Sequence, residues 1–216
     1  MKRASYNAKG FTLIELLIVI AIIAILALIA IPNFLEAQVR SKVSRAKADM
    51  RIVATAIESY TVDNNRAPIG WNEGLGAPYY LFTDYPDTDT RYKAYYFLTT
   101  PIAYITTIPE DPFMDKTGSY QPRSGTSDEP KKWVYYEYQY NDYPLSNSSA
   151  DYKNAKARGY LWWLRCVGPS KIQEAPFQGP ILGSGLATNI YDPSNGTMSK
   201  GFILRTNKGE YRGPNS

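Results

Sequence analysis

The fold of this chain is decided by one stretch near its start, KGFTLIELLIV at residues 9–19. It opens an apolar run from Phe11 to Ile31 in which Glu15 is the one charged residue. A helix of these 21 residues is roughly 32 Å long, and the hydrocarbon layer of a bilayer is about 30 Å thick. We therefore predict a transmembrane helix over 11–31. A carboxylate inside lipid costs about 2.5 to 3.5 kcal/mol, so Glu15 requires a partner.

Basic residues ahead of the apolar run set its direction in the membrane. Lys2, Arg3 and Lys9 precede it, and such charges stay on the cytoplasmic side. We predict a single-pass anchor whose N-terminus is cytoplasmic and whose C-terminal bulk lies across the membrane. The sequence after Ile31 lacks the small-residue pattern of an ordinary signal-peptide cleavage site, and the small residue is instead Gly10, before the run.

The basic leader, Gly10 and the following FTLIE resemble the processing signal of type IV pilins and type II secretion pseudopilins. The resemblance extends through residue 36 and includes Pro32. In that family a prepilin peptidase cuts after the glycine and methylates the new N-terminus. The resemblance implies a leader of residues 1–10, a cut between Gly10 and Phe11, and N-methylation of Phe11. It also implies storage in the inner membrane and assembly into a homopolymer, with minor pilins and inner-membrane assembly machinery as partners.

Cleavage at Gly10 would give Glu15 a partner. The new α-ammonium of Phe11 would lie one helical turn from the Glu15 carboxylate. The pair can form within one chain, or between the ammonium of one chain and the carboxylate of the next, and only the second arrangement promotes assembly. The resemblance favours pairing between chains, and the sequence alone leaves both open. An ordinary signal anchor with an incidental glutamate is the rival interpretation.

An apolar stripe extends the helical pattern beyond the membrane segment. Its members recur every three or four residues: Val39, Val43, Ala46, Met50, Val53, Ile57 and Tyr60. We predict one helix from about Phe11 to about Asp63, with an extramembrane half at 32–63. Pro32 lacks an N–H group and should kink it. The stripe needs a cover, and we expect a sheet of the same chain rather than a coiled-coil partner.

Residues 64–216 have a different composition, with 14 of the 15 prolines and 17 of the 19 tyrosines. This predicts a globular head of loops and short strands. Strand candidates lie at 132–140, 160–167 and 198–205, the second of them apolar on both faces apart from Arg165. We predict an α+β, pilin-like fold, in which the C-terminal half of a long N-terminal transmembrane helix packs on a small antiparallel sheet.

Two runs in the head resemble the major pseudopilin of type II secretion. One is LTTPIAYITTIPEDPF at 98–113, and the other is LRCVGPSK at 164–171, which is similar to the run that leads into that family's calcium loop. Cys166, Ser170 and Lys171 depart from its serine, aspartate and second glycine. These departures argue against calcium in this loop but leave its binding open, and we expect no other cofactor.

The composition argues against an enzyme and against a nucleic-acid-binding protein. The chain has no histidine, and its one cysteine, Cys166, is predicted to be a buried apolar thiol. Without the leader's three basic residues, 21 basic side chains face 20 acidic ones, which is not the charge of a nucleic-acid-binding protein. We expect a solvated turn at 84–89 rather than an EF-hand loop, and an exposed insertion at 141–159.

The sequence therefore predicts a structural subunit that acts by polymerising. A pseudopilus for protein export is the favoured role, because the run at 98–113 resembles a pseudopilin. A surface pilus for adhesion, motility or DNA uptake is the alternative. A membrane-tethered enzyme or carbohydrate-binding head is the alternative from another class.

Overall fold

The structure is a computed structural model that describes residues 10–68, 95–114, 135–140, 150–171, 190–194 and 201–211. Several predicted features lie outside these residues: positions 1–9 of the leader, the acidic turn at 84–89, the first part of the insertion at 141–149, and the strand ends at 132–134 and 198–200. The chain divides into two compact units, Met1–Val39 and Arg40–Ser216.

Helix α1 spans Leu13–Asn64, in agreement with the predicted helix. Helix α1 continues through Pro32, so the proline does not break the helix. At its end the side-chain amide of Asn64 donates to the Tyr60 carbonyl (2.9 Å), and Asn65 follows with a φ of 55°. A residue in the left-handed region at this position is a common way to end a helix.

In the part of the chain that the structure describes, four short strands form one antiparallel sheet with the order β1-β2-β3-β4. They are β1 (Glu137–Tyr140), β2 (Trp162–Cys166), β3 (Ile203–Thr206) and β4 (Gly209–Tyr211). The first two strand candidates contain β1 and β2. The third, at 198–205, overlaps β3, which ends one residue beyond it. The fourth strand was missed, because three residues are too few to show the alternation that identifies a strand.

The second half of α1 packs on one face of this sheet. Six of the seven stripe residues are buried, and Val39 at the start of the stripe is half-buried. The Lys47 ammonium pairs with the Glu210 carboxylate of β4 (2.5 Å), and the Tyr136 hydroxyl next to β1 donates to Asp49 (3.2 Å). Burial raises the pKa of Tyr136 far above its ordinary value, so this hydroxyl keeps its proton. The same chain therefore covers the stripe, with the sheet beside Lys47 and Asp49 and the rings of Phe97 and Tyr104 against Tyr60 near the end of α1.

The described residues contain two further helices, α2 (Tyr96–Thr99) and α3 (Ala150–Ala157). Helix α3 contributes Ala155 to a cluster with Trp163, Leu204 and Tyr211 on the other face of the sheet. Around it, Asn154, Lys156, Ala157 and Arg158 are exposed, as predicted for the insertion at 141–159, and Ala155 is buried. The helix itself was not predicted, because its sequence ADYKNAKA shows no apolar pattern.

Strand β2 is buried at all five positions, as its double apolar pattern predicts. The Arg165 side chain lies on the face opposite α1, in an ion pair with its cross-strand neighbour Glu137. Its guanidinium also lies 4.7 Å from the centre of the Phe202 ring. A partner charge and an aromatic ring are what a buried guanidinium requires.

Candidate processing and assembly site

The predicted cleavage site lies just before α1. Gly10 and Phe11 are outside the helix, which begins at Leu13, and the Phe11 side chain is 74% exposed. A Cβ atom added at Gly10 would meet nothing within 4 Å. The fold therefore gives no steric reason for a glycine at this position, and the Gly10–Phe11 bond is not enclosed by helical hydrogen bonds.

Thr12 and Glu15 form a reciprocal hydrogen-bonded cap on the first turn of α1. The Glu15 carboxylate accepts from the backbone N–H of Thr12 (2.9 Å) and from its hydroxyl (2.7 Å). The backbone N–H of Glu15 donates to the Thr12 hydroxyl oxygen (3.3 Å). This is a capping box, which satisfies N–H groups that the start of a helix leaves without partners.

The sequence prediction for Glu15 omitted Thr12. The T-x-x-E spacing of residues 12–15 is the signal that identifies this box. The partner that was predicted, an α-ammonium on Phe11, forms only when the leader is removed. In the chain that begins at Met1 the Phe11 nitrogen belongs to a peptide bond, so pairing between Phe11 and Glu15 stays a prediction.

The helix that follows the box exposes its apolar side chains over its whole first half. Leu13 and Leu28 are each more than 70% exposed. By length and composition α1 is able to cross a membrane, and no residue in its most apolar stretch of 18 residues is buried. Pro32 lies roughly 26 Å along the helix from Glu15 at about 1.5 Å per residue, so the structure does not bring it to the Gly10, Phe11 and Glu15 site.

In the head, the Asp111 carboxylate is the most connected buried polar group that the motif at 98–113 contributes. It is 2% exposed. Its Oδ1 accepts from the Phe113 N–H (2.9 Å) and from the Cys166 thiol (3.3 Å), and its Oδ2 accepts from the Val167 N–H (3.1 Å). Cys166 is buried as predicted, and its thiol also has a polar partner, Asp111, which the prediction of an apolar thiol did not include. Its partner lies 55 residues away in sequence, so local pattern did not show it.

Among the residues that the structure describes, no group of three or more His, Cys, Asp or Glu side chains comes together to hold a metal ion. The expectation that the protein has no cofactor stays a prediction.

Residues 5–31 match the family described as the prokaryotic N-terminal methylation motif. The chain carries a prepilin-type N-terminus. This motif contains Gly10, Phe11, Thr12 and Glu15, which are the residues of the site described above. The motif covers a minority of the chain, and the head lies outside it.

Three curated relatives extend the comparison. The chain is 42% identical to the type IV major pilin protein of Myxococcus xanthus over 66 residues, which are 31% of this chain and 30% of that pilin. It is 50% identical to a type IV major fimbrial protein of Dichelobacter nodosus over 74 residues, 32% of this chain and 46% of the relative. It is 31% identical to the type II secretion system core protein G of Pectobacterium carotovorum over 111 residues, 51% of this chain and 65% of the relative.

These matches span less than two thirds of the length of each relative. They confirm the predicted resemblance to type IV pilins and type II secretion pseudopilins. These relatives are structural subunits rather than enzymes. No solved structure matches the chain.

Proposed function

We propose that this protein is a prepilin-like subunit that is cut between Gly10 and Phe11, methylated at Phe11, and polymerised into a filament. The observation that carries the proposal is the first half of α1, whose large apolar side chains are 44–80% exposed and which follows a non-helical Gly10–Phe11 bond. Water is a poor solvent for such a surface, so lipid and then other copies of the same helix have to cover it.

The proposal assigns four parts to the chain. Residues 1–10 are the leader, 11–31 cross the inner membrane, 32–63 form the extramembrane half of the helix, and 64–216 form the head. The N-terminus is cytoplasmic, and the head is periplasmic or extracellular after assembly. The partners are prepilin peptidase, inner-membrane assembly machinery, membrane lipid, further copies of the subunit and related minor pilins.

We assign the filament to a type II secretion pseudopilus that exports proteins. Support comes from the length of the match to core protein G, which at 111 residues extends beyond α1 into the head. The matches to the pilin and the fimbrial protein are 66 and 74 residues long, although their identity is higher. That higher identity supports the second candidate, a type IV surface pilus.

Glu15 has successive partners in this proposal. Before cleavage the Thr12 box satisfies its carboxylate. After cleavage the Phe11 ammonium of a neighbouring subunit is a stronger partner, because it brings a full opposite charge into an apolar surrounding.

The mass of the mature protein tests the processing step. We expect a chain of 206 residues, the 216 of the sequence less the ten of the leader, beginning with N-methyl-Phe11. Gly10→Ala is the matched variant. A Cβ fits at Gly10 without contact, so the fold should not change, and any change in cleavage would reflect the processing step rather than the fold. A mature protein that still carries Met1, or that is cut after Ile31, would end the proposal.

Electron microscopy of sheared surface material, labelled with antibody against the head, separates the two filament roles. Long external fibres favour the surface pilus. Processed subunits in the membrane without such fibres favour the pseudopilus.

A further inference from the structure

The resemblance at 164–171 implies that a calcium loop follows this run, and the residues present do not fit one. Calcium takes six to eight oxygen ligands, several of them carboxylates. Residues 160–171 contain no carboxylate, and residues 172–189, which follow that run, contain a single one, Glu174. Lys171 brings a positive charge to the second glycine position of that run, and its backbone N–H donates to the Gly168 carbonyl (3.2 Å).

Cys166 occupies the serine position of that run, and its thiol forms a hydrogen bond. It donates to the Asp111 carboxylate, as does the backbone N–H of the next residue, Val167. Asp111 therefore reaches the end of β2, which lies within the run at 164–171. Its own loop is fixed beside β1 by the antiparallel bridge between Glu110 and Tyr135.

The backbone beyond Val167 is closely packed as well. Gly168 has a φ of 78°, and a Cβ atom at this position would lie 2.2 Å from the Gly201 carbonyl oxygen. The Tyr191 N–H donates to the Phe202 carbonyl (2.9 Å), which brings a third segment to the same place. The end of β2 is thus held by its own chain on several sides.

We propose that the buried Asp111 carboxylate, and not a bound calcium ion, holds the end of β2 in this protein. A carboxylate that accepts two backbone N–H groups and a thiol is well stabilised without a cation. It joins the loop at 108–113 to the sheet, which is the task that a cation performs when it clamps two segments. The proposal concerns the folded head and does not depend on filament formation.

The experiment is thermal unfolding of the full chain in detergent micelles, followed by tryptophan fluorescence, with either EGTA or millimolar calcium chloride. The wild type should unfold at the same temperature in both. Asp111→Asn places an amide N–H₂ group against N–H donors, so its midpoint should fall by about 5 °C in both conditions. Asp192→Asn is the matched control, because this exposed carboxylate caps a surface turn at Ser194, and its midpoint should stay near that of the wild type.

Two results overturn the proposal. One is a wild-type midpoint that calcium raises, and the other is an Asp111→Asn midpoint equal to that of the wild type. If Asp111→Asn does not accumulate, the pair Cys166→Ser and Cys166→Ala decides the role of the carboxylate. Serine keeps a donor to Asp111 and should be the more stable of the two, and equal midpoints for both variants count against the proposal. Calorimetric titration of the wild type with calcium tests independently whether the protein binds this metal. We expect no binding heat.

Discussion

The two halves of helix α1 are built from similar apolar residues and use them in opposite ways. In the first half Ile14, Leu16 and Leu28 are all more than 50% exposed. In the second half Met50 and Ile57 are at most 1% exposed, because a stripe on one side lies against the sheet. A stripe is what one chain can cover by itself, whereas a helix that is apolar all round needs lipid or other helices. Damage to the first half should therefore affect assembly, and damage to the second half should affect folding of the head.

The largest effect that this comparison predicts comes from Glu15→Ala. If the carboxylate pairs with the Phe11 ammonium of a neighbour, its removal leaves a buried charge stranded, which costs about 3 to 5 kcal/mol for each contact. Membrane insertion should persist, because the segment becomes more apolar, and filament formation should be lost. Fractionation of cells for membrane content, with electron microscopy of the same preparation, measures both.

Thr12→Val is the matched variant for Glu15→Ala. It removes the hydroxyl of the capping box at a cost of about 1 kcal/mol and leaves the carboxylate in place. Filaments should still form from this variant. Normal filaments from processed Glu15→Ala protein would falsify the role between subunits and leave the pair within one chain as the surviving account.

Removal of the stripe should have the next largest effect. A fragment of residues 35–216 keeps every buried residue of α1, so it should be soluble and unfold cooperatively. A fragment of residues 64–216 loses the stripe and exposes the sheet face that the stripe covers, so it should aggregate or unfold without a sharp transition. Circular dichroism and sedimentation of the two purified fragments make the comparison. Equal stability of both fragments would show that the helix contributes little to the head.

Two isoleucines on the second half of α1 test the same packing at single-residue scale. Ile57 is 0% exposed and Ile52 is 55% exposed. Ile57→Ala should lower the free energy of unfolding by about 2 to 5 kcal/mol, since it removes buried methyl groups and leaves a cavity. Ile52→Ala should change it by less than about 0.5 kcal/mol. Urea unfolding of the full chain in detergent micelles measures both, and similar losses for the two variants would mean that the helix face is wrongly assigned.

The features that the sequence predicted correctly share one property, which is a repeated local pattern. The spacing of three and four residues identified the stripe, and the double apolar pattern of β2 identified an inner strand. Helix α3 and strand β4 were missed because each is too short to show a repeated apolar pattern. The contact of Asp111 with Cys166 joins residues 55 positions apart, and no local pattern encodes such a pair. Thr12 is different, because the signal for its capping box was present in the sequence.

The smallest effect concerns the ion pair between Lys47 of α1 and Glu210 of β4. The two side chains are 27% and 29% exposed, so solvent screens their attraction and each keeps part of its hydration. A double-mutant cycle with Lys47→Ala and Glu210→Ala should give a coupling of about 0.2 to 1 kcal/mol in the free energy of unfolding. The coupling should shrink as salt is added. A coupling far above this range that salt does not change would mean that the pair, rather than the apolar stripe, fixes the second half of α1 on the sheet.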